Sequence, residues 1–172
     1  AMNCFVKAIN LDSNNEEAYL QLGNLYHKNK DSNSIRYYKK VIEINPQNRI
    51  ALYNLGLTYH TLSMYSESQD TYHKIIEMNI TDKIYENATY NLGFMFLDDL
   101  NDYKNAIDYF IEVLRVNPNY YLAYFRMAIC YQDLGDVLNA EKYYRKSLQI
   151  NPNFQEANDR LNQLISDNEK YK

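Results

Sequence analysis

Apolar residues recur along this chain with helical spacing, and one arrangement of them returns at intervals of about 34 residues. It reads Tyr19–Leu22–Gly23–Tyr26, Leu52–Leu55–Gly56–Tyr59, Thr89–Leu92–Gly93–Phe96 and Tyr124–Met127–Ala128–Tyr131. A second arrangement follows each copy: Ser34–Tyr38–Val41, Ser68–Tyr72–Ile75, Ala106–Phe110–Val113 and Ala140–Tyr144–Ser147. Residues three and four apart share a helix face, so each copy predicts two helices in succession. Punctuation places these pairs near 15–28 and 31–44, 48–62 and 65–78, 84–98 and 102–116, and 119–133 and 137–150. Pro46, Pro118 and Pro152 close three of the units. No stretch alternates with period two, so no strand is expected. Each Gly inside a first helix costs about 1 kcal/mol against Ala. Close approach of the second helix, which a side chain would block, is the expected compensation, and Ala128 serves the same need.

These signatures resemble the tetratricopeptide repeat, whose unit carries an aromatic, a Leu-Gly pair, a Tyr, an Ala, an aromatic and a closing Pro at fixed offsets. The departures are the lack of any Trp, the non-aromatic Leu52 and Thr89, and Ile80 in place of a closing Pro. The resemblance implies an all-α, right-handed superhelical solenoid of antiparallel helix pairs, about ten helices in all. Its expected organisation is a half repeat over 1–14, repeats over 15–48, 49–82, 83–120 and 121–153, and a capping helix over 154–168. Gly23 to Gly56 spans 33 residues, Gly56 to Gly93 spans 37 and Gly93 to Ala128 spans 35. One residue is therefore expected to be lost near Lys30–Ser34 and one gained near Asp98–Asp102. About three are added near 80–85, either lengthening the third unit's first helix or opening a loop. Residues 1–12 read as a lone second helix, with Ala1, Phe5 and Ala8 on the second pattern and part of the packing surface of Phe5 and Ile9 missing. We read this start as a cut from a longer repeat protein, Ala1-Met2 as a possible cloning remnant, and Lys170–Lys172 as a fraying end.

Charge and chemistry narrow the function class. A formal net charge of −4 across 172 residues provides no basic stripe to displace counterions, so nucleic acid is not the expected ligand. No apolar run has the length of a membrane span, and no membrane partner is expected. Cys4 and Cys130 fall at apolar helix positions and read as two buried reduced thiols, fitting a cytosolic or nuclear protein. Asn79-Ile80-Thr81 and Asn87-Ala88-Thr89 match the glycosylation pattern and read as accidental. His27 and His60 share a face, but their next equivalents are Leu97 and Gln132, so two solvated histidines are expected rather than a metal or acid–base pair. Asp98, Asp99, Asp102 and Asp108 lack the Gly hinge and terminal Glu of a calcium loop. No cofactor, metal or catalytic constellation is expected, and the chain reads as a non-enzyme.

In this family the first helices line a concave groove where ligands usually bind, and the resemblance carries that expectation onto particular residues. Before each Leu of the signature stand Gln21, Asn54, Asn91 and Arg126. An amide can donate and accept, so stacked amides bracket the backbone of an extended peptide. The arrangement is similar to the asparagine ladder of O-linked N-acetylglucosamine transferases, with Asn54 and Asn91 matching fully. Leu20, Tyr53, Tyr90 and Phe125 stand one residue earlier; Asn24, Leu57, Phe94 and Ile129 follow the Gly or its Ala replacement; Asn87 lies on the same face. Neither frame of the clamp for acidic chaperone tails, Leu20–Asn24–Asn54–Asn87–Asn91 or Tyr53–Leu57–Asn91–Leu122–Arg126, has two cations. A protein-interaction module binding a partner peptide or protein segment, as part of a larger scaffold or adaptor, is the leading reading. A substrate-recruiting arm of a larger enzyme such as a glycosyltransferase is the alternative, as is self-assembly through the open half repeat.

Overall fold

The computed structural model describes residues 2–170, leaving Ala1, Tyr171 and Lys172 of the expected scheme outside the described residues. These form α1 (Met2–Leu11), α2 (Glu16–Lys28), α3 (Asn33–Ile44), α4 (Arg49–Thr61), α5 (Tyr65–Glu77), α6 (Lys83–Asp98), α7 (Tyr103–Val116), α8 (Tyr121–Asp133), α9 (Val137–Ile150) and α10 (Gln155–Lys170). No strand occurs among the described residues. The helices fall in two compact units, Ala1–Ala88 and Thr89–Lys172, whose boundary lies within α6. The first unit packs α2 with α3 and α4 with α5; the second packs α8 with α9 and α9 with α10.

Local chemistry sets the helix ends. Asn15 and Asn48 accept from the Ala18 and Ala51 backbone N–H at 2.9 and 2.8 Å, and Asp102 and Asp136 accept from Asn105 and Asn139 at 3.2 and 3.1 Å. Such side-chain caps satisfy donors that the first helical turn leaves orphaned. At the other ends Asn45, Asn117 and Asn151 take the C-cap and donate to Val41, Val113 and Ser147 carbonyls. The proline after each cannot continue the helix.

The inner turns carry a repeated backbone feature. Lys30, Ser63, Asn101 and Gly135 all have positive φ, between 53 and 78°. From each to the small residue of the next helix is four residues in the first hairpin (Lys30 to Ser34) and five in the others, so the expected loss lies there. Asn101 lies eight residues beyond Gly93, where the others lie seven beyond their Gly or Ala, which accounts for the third unit's extra residue. The insertion near 80–85 lengthens a helix: α6 has 16 residues against 13 in α2 and α4.

A left-handed backbone costs L residues about 1–2 kcal/mol, part of which glycine returns through its freer unfolded state. Lys30→Gly and Ser63→Gly are each expected to stabilise the chain by about 0.5–1 kcal/mol, and Asn101→Gly by less, because Asn tolerates this region. Urea midpoints test this; unchanged midpoints for both variants would show that the turns carry no strain.

Close packing bears out the purpose of the signature glycines. A Cβ on Gly23 would lie 2.5 Å from the Tyr38 ring, one on Gly56 2.6 Å from Tyr72, and one on Gly93 2.8 Å from Phe110. The Ser68 hydroxyl exploits the same approach, donating to the Gly56 carbonyl at 2.9 Å. Tyr38, Tyr72, Phe110 and Tyr144 are all buried. Both cysteines are free; Cys130 is buried, and burial pushes its thiol up to about 12. Cys4 departs from expectation and is exposed, because α1 buries no side chain.

Candidate functional site

In the first unit the expected binding wall comes from α2 and α4. Gln21, Asn24, Tyr53, Asn54 and Leu57 are partly exposed there. Gln21 donates to Glu17 at 2.7 Å. The amides are tied together across three helices: Asn24 Oδ1 accepts from Tyr38 Oη at 2.8 Å and from Asn54 Nδ2 at 3.0 Å. Those bonds use the Asn24 side-chain carbonyl and one Asn54 N–H, leaving the Asn24 amide N–H groups and the Asn54 side-chain carbonyl uncommitted. The Tyr53 ring leans on Tyr72, with centroids 6.1 Å apart. Beside them, Thr58 Oγ1 lies 2.8 Å from His27 Nδ1 and donates to the backbone carbonyl of Asn54 at 2.7 Å. Burial lowers the His27 pKa. His27 thus links α2 to α4 through Thr58 rather than standing as the solvated side chain expected.

Leu20 is a correction. It is buried within the core of Tyr38, Val41, Leu55 and Tyr59, and offers nothing to a ligand. Asn87 lies on the first-unit part of α6 and is partly exposed.

In the second unit Tyr90, Asn91, Phe94 and Arg126 are partly exposed on α6 and α8. The Arg126 guanidinium lies over the Phe94 ring at 4.8 Å and approaches Asp98 at 3.7 Å. Burial raises the Asp98 pKa, outweighing the pull of Arg126. Tyr90 packs edge-on to Tyr120 at 5.1 Å and tilts on Phe110 at 5.7 Å. Burial raises its pKa as well, against the opposing influence of Arg126.

Phe125 and Ile129 are the other corrections, with exposures of 1% and 7%. Phe125 turns away from solvent against Phe154, 4.8 Å off, and Tyr144, 5.8 Å off, while Arg126 and Arg160 lie over it at 5.7 and 5.9 Å. Only the residue preceding α10 reveals this.

The acidic turn is structural where it is best defined, since Asp102 caps α7. Among the described residues no cluster of His, Cys, Asp and Glu is placed to hold a metal ion, and no helix is long and apolar enough to cross a membrane.

Sequential helix hairpins, three of them closed by a ring packed on a glycine, define a helical repeat protein. Comparison with known proteins gives the family. Profiles of the tetratricopeptide repeat match residues 50–79, 87–120 and 121–154, and a TPR repeat profile matches 1–30 and 28–63. The chain belongs to the tetratricopeptide repeat family. Among solved structures it is similar to MamA, with a TM-score of 0.80 and 24% identity over 90% of this chain and 89% of that one. It is also similar to YrrB, described as a TPR protein with an unusual peptide-binding site, with a TM-score of 0.76 and 22% identity over 98% and 86% of the two chains. The human protein O-mannosyl-transferase TMTC3 is 21% identical over 133 residues, covering 76% of this chain but 14% of that protein. The chain thus spans a small part of that relative's length.

Proposed function

We propose that this repeat module binds a polypeptide segment on the walls built by its first helices and performs no chemistry of its own. Uncommitted amide groups beside partly exposed rings carry this reading: the Asn24 N–H groups and the Asn54 side-chain carbonyl sit beside Tyr53 and Leu57. One donor and one acceptor match a peptide unit, whichever side chain it bears. In the second unit Tyr90, Asn91, Phe94 and Arg126 are likewise partly exposed. The peptide-binding site of YrrB, a protein of the same fold, supports a ligand of this class.

Magnitudes divide the work. A ring removed wholly from water is worth about 4–6 kcal/mol at ~25 cal/mol/Å². Tyr53 and Tyr90 are already mostly covered, so each contributes about 1 kcal/mol more on binding. An amide hydrogen bond nets a similar amount, and being directional it sets register.

The test uses peptides selected by display on the wild-type chain, with affinities read by fluorescence anisotropy. Tyr53→Ala with Tyr90→Ala is expected to weaken them at least tenfold, and Asn54→Ala severalfold, with helical circular dichroism retained. Wild-type affinity in the double variant would place the site elsewhere. A second reading draws on TMTC3, a transferase of which the matched repeats form a small part: the module as the substrate-recruiting arm of a larger enzyme. An open reading frame without a catalytic domain on either side removes that reading. A soluble location in cytosol or nucleus fits the exposed free Cys4 and remains part of the proposal.

A further inference from the structure

In two hairpins the core tyrosine of the second helix reaches through to an amide on the first. Tyr38 enters from α3 and lies against the α2 backbone at Gly23, where a Cβ would come within 2.5 Å of its ring. That close passage brings its hydroxyl beside the next residue, and Tyr38 Oη donates to Asn24 Oδ1 at 2.8 Å. In the second unit Tyr144, the buried core ring of α9, donates through Oη to Gln132 Oε1 on α8 at 2.6 Å. Burial pushes both phenols above their ordinary range, that of Tyr144 to about 12, so each keeps the proton it donates. The α6–α7 hairpin supplies the contrast. Its core ring is Phe110, without a hydroxyl, and the α6 residues corresponding to Asn24 and Gln132 are Phe94 and Leu97. There the phenol and the amide are absent together.

A buried phenol seeks a partner, but bonding it to an amide oxygen also orients the rest of that amide. Asn24 Oδ1 takes a second bond from Asn54 Nδ2 at 3.0 Å, so both of its lone pairs are filled. Turning the Asn24 amide over would set its N–H groups against those of Asn54. The Asn24 N–H groups are therefore held away from Tyr38, on a partly exposed residue of the wall.

We infer that Tyr38 is a positioning residue for the first-unit wall: it holds Asn24 as a donor, so that a bound polypeptide places a carbonyl oxygen at Asn24 and an N–H at the side-chain carbonyl of Asn54. This rests on the peptide reading above and adds a set polarity to it. Tyr38 itself touches no ligand, being buried.

The probes are the display-selected peptides, with affinity read by fluorescence anisotropy. Tyr38→Phe keeps the ring and removes the hydroxyl. It is expected to weaken binding about threefold to tenfold, the worth of one directional hydrogen bond, with helical circular dichroism retained. In the Asn24→Ala background the same change should leave affinity where it was, because nothing remains to be positioned. Equal weakening in both backgrounds, or none in the wild type, would overturn the positioning role. Asn24→Asp reads the polarity without altering the core. It keeps an oxygen for Tyr38 and Asn54 and replaces the N–H groups by a second oxygen, so it should weaken the peptides at least as much as Asn24→Ala. Wild-type affinity in Asn24→Asp would overturn the inference, and this variant decides alone should Tyr38→Phe fail to fold. Full affinity in Asn24→Ala also overturns it. The wall reading falls as well only if the double variant Tyr53→Ala with Tyr90→Ala binds fully too.

Discussion

Phe110→Ala is expected to lower the stability of the second unit by about 3–5 kcal/mol, the range for deleting a fully buried ring. Phe110 is 0% exposed, packs against Tyr90 and presses on the α6 backbone at Gly93. Such a site cannot collapse easily, because helix α6 would have to move to fill it. The more discriminating test combines this change with Gly93→Ala. Alone, Gly93→Ala gains about 1 kcal/mol of helix propensity but forces a methyl to within 2.8 Å of the ring, an overpacking cost of about 1–3 kcal/mol. With the ring gone, the methyl enters vacated space and only the propensity gain remains. Gly93→Ala is therefore expected to be neutral or destabilising in the wild type and stabilising in the Phe110→Ala background. Chemical denaturation of the four proteins reads the coupling. Additive effects would mean that the glycine serves something other than the ring.

The same reasoning shows why the fold could be read from sequence while parts of the site could not. A repeat unit is specified by short-range relations: Gly93 with Phe110, Asn48 with Ala51, Asn45 with Pro46. Even the lost and gained residues declared themselves as altered spacing, later explained by the positive-φ residues Lys30 and Asn101. A wall residue instead depends on whatever another helix lays over it. Tyr90 and Phe125 occupy equivalent positions, yet Tyr90 keeps an exposed part while Phe125 is sealed by Phe154. Leu20 and Ile129 sit at the margin of the apolar stripe, where a small rotation of the helix decides between core and surface. The Asn24–Asn54 bond joins residues 30 apart in sequence, and no local pattern distinguishes a ladder of free amides from one partly bonded to itself. Cys4 misled for a related reason: its helix has the apolar spacing of a packed element, but buries no side chain.

Asp82→Ala is expected to cost about 2–4 kcal/mol, from a lost cap of ~1 kcal/mol and a lost charge-assisted hydrogen bond of ~1.5–3 kcal/mol. The segment before α6 lacks the proline that closes three of the repeats, and Arg49 holds it instead. Its guanidinium donates to the Asp82 carboxylate and, at 2.9 Å, to the Ile80 carbonyl. The other Asp82 oxygen accepts from the Ile84 and Tyr85 N–H at 2.9 and 3.0 Å, capping α6. One carboxylate thus fixes both the inserted segment and the start of the longer helix. Asp82→Asn retains a capping oxygen and should cost less than Asp82→Ala. Arg49→Met should also cost less, because it removes a mostly buried cation together with its desolvation penalty. Burial raises the Asp82 pKa, but the Arg49 bond, the two backbone N–H groups and the Arg49 charge together bring it below the ordinary carboxylate value. A carboxyl depressed on folding contributes stability above its unfolded pKa, and that contribution is lost as pH falls through the folded value. The wild-type advantage over Asp82→Asn should therefore be full near neutral pH and vanish in acid below the folded pKa. Solvent and salt screening of the exposed carboxylate will keep its pH-dependent part small. Hydrogen exchange at the first turn of α6, measured across that pH range, reads the effect locally. Protection there equal in wild type and Asp82→Ala near neutral pH would mean that Arg49 and Asp82 do not hold the insertion in place.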